Sequence, residues 1–253
     1  MILTVLGSSG SAPGPGNPCS GYLVEHAGHR LLLDLGTGAF GALLGHVRPA
    51  LVDTVVITHR HADHSADLAV LAYALEKLGG RTEPVRVIAP AGVGERVGRT
   101  SVLAFEEAGA GGLACGPFRV RLARVRHSVE TYAVRVEDER GSLTYTGDSG
   151  PCRELAELAH GSGVLLAEAA LGPGDGPGVP AVRWDADHTA PAPHHLTAHQ
   201  AGDLAARAGA GLLALTHVRP WDDPVASLAA ARFPGPVVLA SPGLRLTPPA
   251  ETR

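Results

Sequence analysis

The chain is poor in cysteine. Cys19, Cys115 and Cys152 are the whole complement in 253 residues, an odd number with no Cys-x-x-Cys pair. A disulfide framework is therefore not expected, and a reducing cytoplasm is the natural location. Excess positive charge is also missing. Lys and Arg number 21 against 25 Asp and Glu, a net charge of −4, so no broad basic field draws in nucleic acid. No apolar run is long enough to span a membrane. The opening "MILTVLGSSG" has no basic segment and only a short apolar run, so it reads as a first strand and not as a signal peptide. What remains is 45% hydrophobic and 18% charged, the balance of a soluble globular chain. Its length allows one large core, expected as a single domain over 1–253.

Glycine and proline punctuate the chain, at 33 and 20 residues. Ile2 to Leu6 reads as a strand. "GYLVEHAGHRLLLDLG" reads as a hairpin turning at His26-Ala27-Gly28-His29. "GTGAFGALLGH" suggests a short helix, and Val55 to Thr58 a strand. Asp67 to Leu78 carries helical spacing that stops at Gly79-Gly80. Val85 to Ala89, Phe118 to Val136, Leu143 to Thr146, Val164 to Ala167, Leu212 to Leu215 and Pro236 to Ala240 have strand character. Glu154 to His160 is helical. Thr197-Ala198-His199-Gln200 fits a capping box, opening a helix to about Ala208 that Gly209 ends. A last helix is expected from Asp223-Pro224. Residues 172 to 194 are rich in Pro and Gly without a period, a long loop of the kind that often acts as a lid. "VVITH" (Val55 to His59) and "LALTH" (Leu213 to His217) both end a buried-looking strand in Thr-His. Two similar halves facing one site would explain that echo.

The densest chemistry lies in "VVITHRHADHSADL". His59 and His61 stand two apart, so in an extended segment they point to one side. Asp63 and His64 follow where the chain turns into a helix. Neutral imidazole and carboxylate are ordinary ligands for zinc and similar ions. One loop can therefore serve two ions, with His59 and His61 on one and Asp63 and His64 on the other. Four donors do not complete two sites. His127, Asp148 and His217 each stand near a strand end and can supply the rest.

"THRHADH", His127, "TGDSG" with Asp148 and "LTHV" with His217 follow one another in an order that resembles the metallo-β-lactamase superfamily, over essentially the whole chain. The resemblance implies an α+β fold, an αβ/βα four-layer sandwich: two mixed β-sheets face to face, helices outside, and a dinuclear site at one edge. It implies two divalent metal ions, zinc first, with manganese or iron also suited to the donors. His59, His61 and His127 would hold one ion; Asp63, His64 and His217 the other; Asp148 would bridge them. The β-lactamases that use zinc have cysteine where this chain has Asp148, which argues against β-lactam hydrolysis. The opening "LTVLGSSGSAPGPGNPCSGYLVE", "TGDSGPC", "LLAEAAL" and "HHLTAHQAGDLAARAGAGLLALTH" bring the chain nearer to the ribonuclease Z-like branch, and "RPW" (Arg219, Pro220, Trp221) to its cyclic-nucleotide phosphodiesterases. That match makes His195 an auxiliary catalytic histidine and Glu168 its orienting carboxylate. With Asp63, these are the catalytic candidates. Asp34 is expected to support the ligands or form a turn.

The resemblance points to a phosphodiesterase for a small anionic substrate such as a cyclic nucleotide, with no membrane partner and a homodimer consistent with related enzymes. Three rivals stand beside it. Maturation of tRNA 3′ ends uses the same chemistry, but no Lys-rich arm lies between His64 and His127. Thioesterase or lactonase chemistry needs the same ions. A catalytically silent metal-binding module is opposed by the complete ligand set. Arg119, Arg121, Arg124 and Arg126 could greet an anion or form a solvated strand face. Trp184 and Trp221 could stack on a base or simply pack.

Overall fold

The computed structural model describes residues 1–172, 183–190, 193–223 and 232–249. Its strands are β1 (Ile2–Gly7), β2 (Gly21–His26), β3 (His29–Leu35), β4 (Thr54–Val56), β5 (Val85–Ala89), β6 (Leu103–Glu107), β7 (Gly111–Cys115), β8 (Phe118–Arg124), β9 (Tyr132–Glu137), β10 (Ser142–Tyr145), β11 (Val164–Glu168), β12 (Leu212–Thr216), β13 (Val237–Leu239) and β14 (Arg245–Leu246). They form two seven-stranded mixed sheets, ordered β14-β1-β2-β3-β4-β5-β6 and β13-β12-β11-β10-β9-β8-β7. In the first, β14 through β3 pair antiparallel and β3 through β6 parallel. The second repeats the scheme, antiparallel from β7 to β10 and parallel from β10 to β13.

Apolar residues on both faces of the central strands produce the layering. Leu31, Leu33, Val56 and Ile88 of the first sheet meet Val134, Val136, Leu143 and Leu166 of the second in a central core. The alternate residues Leu32, Val55 and Val87 face outward, under α1 (Ala39–Leu43), α3 (Leu68–Leu78) and α4 (Val93–Val97). Leu165, Ala167, Leu213 and Leu215 pack under α5 (Arg153–Ala159) and α6 (Ala198–Ala208). The result is the expected four-layer αβ/βα sandwich. Each such Leu, Ile or Val side chain, fully buried, stabilises the fold by about 1.5–3 kcal/mol relative to exposure. Among the described residues no helix is long and apolar enough to cross a membrane.

The differences from the sequence reading have local causes. Four of the five β6 residues are exposed, so their pattern carries no alternation, and β7 is likewise mostly exposed. The run from Phe118 to Val136 divides into β8 and β9, and His127 sits in the connection. Helix α2 (Ala62–Ser65) is one short turn inside the histidine motif. The strands of the "TH" echo, β4 and β12, are not equivalent in the two sheets. β4 is the first parallel neighbour in its sheet and corresponds to β11, one strand from β12. The helix expected from Asp223-Pro224 lies, beyond Asp223, outside the described residues.

The capping box forms as expected. Thr197 Oγ1 accepts from the Gln200 N–H at 3.1 Å, and Gln200 Oε1 accepts from the Thr197 N–H at 2.9 Å. Thr197→Ala should lower stability by about 1 kcal/mol, read from the urea midpoint at unchanged slope. An unaltered midpoint would mean that packing, not the cap, fixes the start of α6.

Candidate metal centre

Six segments reach one edge of the sandwich. The chain leaving β4 delivers Thr58 and His59, then His61, and α2 delivers Asp63 and His64. Asp148 follows β10, Glu168 ends β11 and His217 follows β12, so the carboxyl ends of three adjacent parallel strands converge. His127 comes from the β8–β9 connection and His195 from just before α6. The two sheets are stitched at this edge. The Tyr132 N–H donates to the Thr58 carbonyl at 3.0 Å, and Tyr22 Oη lies 2.6 Å from Thr216 Oγ1. Gly147, at φ 57°, passes Thr58 so closely that a Cβ would stand 3.2 Å from its side chain.

Seven donors fall into two groups sharing Asp148: His59, His61, His127 and Asp148 in one, Asp63, His64, Asp148 and His217 in the other. His61 Nδ1 lies 2.9 Å from His59 Nε2 and 3.2 Å from His127 Nε2. Asp148 Oδ2 is 3.7 Å from His59 Nε2 and 3.9 Å from His127 Nε2. On the other side, Asp148 Oδ1 is 3.2 Å from His64 Nε2 and 3.4 Å from His217 Nε2. His217 Nε2 is 3.1 Å from His64 Nε2 and 3.2 Å from Asp63 Oδ2.

A metal ion fits these donors. A tetrahedral zinc with bonds of about 2.0–2.1 Å separates its ligand atoms by about 3.3 Å, near the middle of the spacings observed. Asp148 Oδ1 is buried without a hydrogen-bond partner of ordinary geometry. Both oxygens of this carboxylate face donor groups, one on each side, the arrangement a bridging ligand requires.

The remaining ring nitrogens are mostly held. His64 Nδ1 is 2.7 Å from Asp34 Oδ2, which fixes its tautomer as a donor there. His59 Nδ1 is 3.1 Å from Thr58 Oγ1, and His127 Nδ1 is 3.1 Å from the His194 carbonyl. His217 Nδ1 is buried and lacks a hydrogen-bond partner. Asp34 also accepts from the Thr58 N–H (2.7 Å), the Thr58 hydroxyl (2.8 Å) and the Tyr145 hydroxyl (2.9 Å). Asp34 and His217 both adopt positive φ, 57° and 55°, uncommon for non-glycine residues and held here by the surrounding contacts.

The electrostatics suit a cation. Burial pushes His127 down to about 4 and His59 well below the ordinary imidazole value, so both rings are neutral at pH 7, the form in which imidazole can accept a metal. Burial opposes charge on His64, but Asp148 and Asp34 overcome it and raise it well above the ordinary value. Burial would raise Asp63 and Asp148 too. Facing histidines instead hold both below the usual carboxylate range, His217 foremost for each. Two carboxylates facing His64 thus demand positive charge. A divalent ion meets that demand and would release the proton from Nε2.

His195 stands outside the seven. Its Nδ1 lies 3.1 Å and 3.2 Å from the Glu168 oxygens and 3.9 Å from Asp148 Oδ2. Glu168 is fully buried and also accepts from the N–H groups of Ser149 (2.6 Å) and Ala170 (3.2 Å). Burial works against charge on His195, but Glu168 and then Asp148 push it up to about 9.

Other expectations meet different outcomes. Residues 183–190 and 193–194 of the presumed lid are pinned to the frame. Arg126 donates to the Pro151 and Asp187 carbonyls, and the Arg153 N–H to Ala186 at 2.9 Å. A Cβ on Gly150 would stand 1.7 Å from the Pro193 carbonyl. Residues 173–182 and 191–192 of that loop lie outside the described residues. Trp184 is buried, and its Nε1 donates to Asp203 at 2.6 Å, so it packs and does not line the site. Trp221 is 69% exposed. Arg119 and Arg121 pair with Glu137, and Arg124 with Glu130, while Arg126 turns inward. Tyr145, the inward role of Arg126 and the Gly10-Ser11 turn carry no local sequence signal. Only tertiary contact reveals them.

The family model for the β-lactamase superfamily domain matches residues 29–218. The chain is 35% identical over 257 residues to an uncharacterised protein of Mycobacterium tuberculosis, covering 93% of this chain and 88% of that one. It is 28% identical over 257 residues to the probable metallo-hydrolase YhfI of Bacillus subtilis, covering 96% and 98%. The crystal structure of YhfI, a metallo-β-lactamase fold protein, superposes with a TM-score of 0.85 over 97% of this chain and 98% of that one, at 26% identity. Ribonuclease Z of Mycolicibacterium paratuberculosis is 27% identical over 276 residues, 94% of each chain. The chain belongs to the β-lactamase superfamily and is a metallo-hydrolase of that fold, with ribonuclease Z among its relatives.

Elemental analysis after gentle purification should give close to two metal equivalents per chain. A ratio that never exceeds one with metal supplied would count against two sites. Asp148→Ala should disturb both groups and abolish turnover more completely than any change within 183–190. Near-native turnover in the folded variant would remove Asp148 from its bridging place.

Proposed function

We propose that this chain is a dinuclear-metal phosphodiesterase acting on a small anionic substrate, with cyclic nucleotides the leading class and zinc the leading metal. One observation carries the reading. A protonatable histidine, His195, stands beside the shared Asp148, outside the two donor groups that share it, with a buried carboxylate, Glu168, that also brings it within reach of His217. Two divalent ions, when bound, supply an activated water and a clamp for phosphoryl oxygens. The protein's part is to hold the ligands and to manage the leaving group. Glu168 takes Nδ1 of His195 and leaves Nε2 free to donate toward a departing alkoxide. His195 is partly open to solvent, whereas His59, His64, Asp148 and His217 are buried, so a substrate meets it from outside.

The small-substrate reading draws support from the stretch between His64 and His127. Helices α3 and α4 and strands β5 to β8 fill it, all in the sandwich layers, leaving no projecting arm to grip tRNA. The net charge of −4 points the same way. A screen of metal-loaded protein on 3′,5′-cyclic AMP, 2′,3′-cyclic nucleotides, bis(p-nitrophenyl) phosphate, a thioester and a tRNA precursor tests it. Turnover of the thioester alone, or of the tRNA precursor alone, would replace the reading.

His195→Ala should retain metal and fold but lose about 10²–10⁴-fold in kcat on a cyclic nucleotide, the usual contribution of a positioned acid. The loss should shrink on bis(p-nitrophenyl) phosphate, whose leaving group departs unaided. Equal losses on both substrates would point to positioning, and loss of metal would make His195 a ligand.

A pH profile gives a second check. The acid form of His195 serves, so kcat on a cyclic nucleotide should fall as pH rises through its folded pKa. Glu168 holds that proton and burial opposes it, so Glu168→Gln should move the alkaline limb to lower pH. A limb that stays in place would separate Glu168 from the proton.

A further inference from the structure

Two of the donors in the Asp63 group are gripped from one side by the loop after β1. Ser9 bridges to Cys19 and to Val218, the residue after His217. The Gly10 N–H donates to the Val218 carbonyl at 3.0 Å. Gly10 lies so close to His217 that a Cβ there would stand 2.5 Å from its carbonyl oxygen and 2.9 Å from its Nδ1. Ser11 then takes the left-handed conformation, φ 60°, which aims its N–H at Asp63 Oδ2, 2.9 Å away. The loop is closed on itself. Ser9 Oγ donates to the Ala12 carbonyl at 2.7 Å, and Gly14 and Asn17 exchange backbone bonds at 2.9 and 3.1 Å. From below, Gly36 supports the same ligand, since a Cβ there would stand 1.9 Å from the Asp63 carbonyl oxygen. The His59 group is held by other parts of the chain, Thr58 and the His194 carbonyl.

We propose that the Ser9-Gly10-Ser11 turn is the positioning element for the second ion alone: it seats His217 and orients Asp63, and so sets the affinity of that site without setting the first. The inference rests on the two-ion reading above. Hydrogen bonds to a ligating group fix its orientation, and their loss typically costs 10–100-fold in metal affinity. The Ser11 N–H is such a bond, delivered by backbone, so no side-chain change at Ser11 removes it unless the backbone itself changes. Gly10 is the other control point, because any side chain there must push the turn away from His217 and carry the Ser11 N–H with it.

The test is a metal titration of stripped full-length protein against a chromophoric chelator. Gly10→Ala should weaken one of the two equivalents by about 10–100-fold and leave the other unchanged. Ser11→Pro, which lacks the N–H and cannot take φ 60°, should do the same. Ser11→Gly keeps the N–H in a relaxed backbone and should bind both equivalents as the parent does. Unchanged binding in Gly10→Ala and Ser11→Pro would overturn the inference, as would parallel weakening of both equivalents. If those variants do not fold, the parent protein decides. Coupling is reciprocal, so hydrogen exchange across residues 8–12 should slow with one of the two equivalents and not with the other. Protection that ignores metal, or grows alike with both equivalents, would overturn the inference. A parent protein that never takes up two ions would instead bring down the dinuclear reading itself.

Discussion

The Asp34 carboxylate sits fully buried between the sheets and receives the Thr58 N–H, the Thr58 hydroxyl, the Tyr145 hydroxyl and a ring nitrogen of His64. A buried carboxylate without partners is penalised by several kcal/mol, so these four groups must be present and in place. They come from the exit of β4, from α2 and from β10 of the opposite sheet. One charge therefore fixes the start of the histidine turn, the tautomer of His64 and the contact between the two sheets at the edge where the ligands gather. Its left-handed backbone is strain that only this many contacts would sustain.

The two donor groups differ in kind. His59, His61 and His127 are three imidazoles sharing one carboxylate, and the nitrogens of His59 and His127 turned away from the centre rest on a hydroxyl and a carbonyl. His64, His217 and Asp63 share the same carboxylate but bring one of their own, and His64 leans on a third through Asp34. A carboxylate behind an imidazole raises its basicity as a ligand more than a neutral acceptor does. The second group is thus the more negative and the more strongly backed. In other respects the groups draw on the fold alike: each takes two donors from the segment after β4, one from a distant segment of the other sheet, His127 or His217, and the shared Asp148.

That common plan governs what can be read from the sequence. His59, His61, Asp63 and His64 are legible because one extended segment and one helical turn place them locally, and the strand before them is apolar on both faces. His127, Asp148 and His217 are legible only as strand-end residues in a familiar order; their separations of 3–4 Å follow from sheet pairing that no local pattern encodes. Asp34 betrays itself as a lone acid in "LLLDLG", although not which groups it would receive. Gly10 and Ser11 look like one more Gly/Ser loop, since the reason for glycine lies at His217, two hundred residues away. β6 and β7 escape notice because exposed edge strands lack the alternation that burial imposes. The long loop is legible as a loop, but the contacts that hold its described parts are not, for a related reason. Pro and Gly mark an absence of regular structure, which is not an absence of contacts.

Those contacts bear on where the chemistry can be adjusted. The segment carrying His194 and His195 is held by the Pro193 carbonyl against Gly150, by the His194 carbonyl against His127, and by Leu171, whose N–H donates to the Leu196 carbonyl at 3.1 Å. Swinging this segment outward would withdraw the Nδ1 partner of His127 along with His195. His195 and the His59 donor group are therefore tied to the same stretch of backbone, whereas Asp63 and His217 are tied to the loop after β1. A change in the position of His195 is transmitted to one donor group and not directly to the other. Asp148, facing both, is where the two meet.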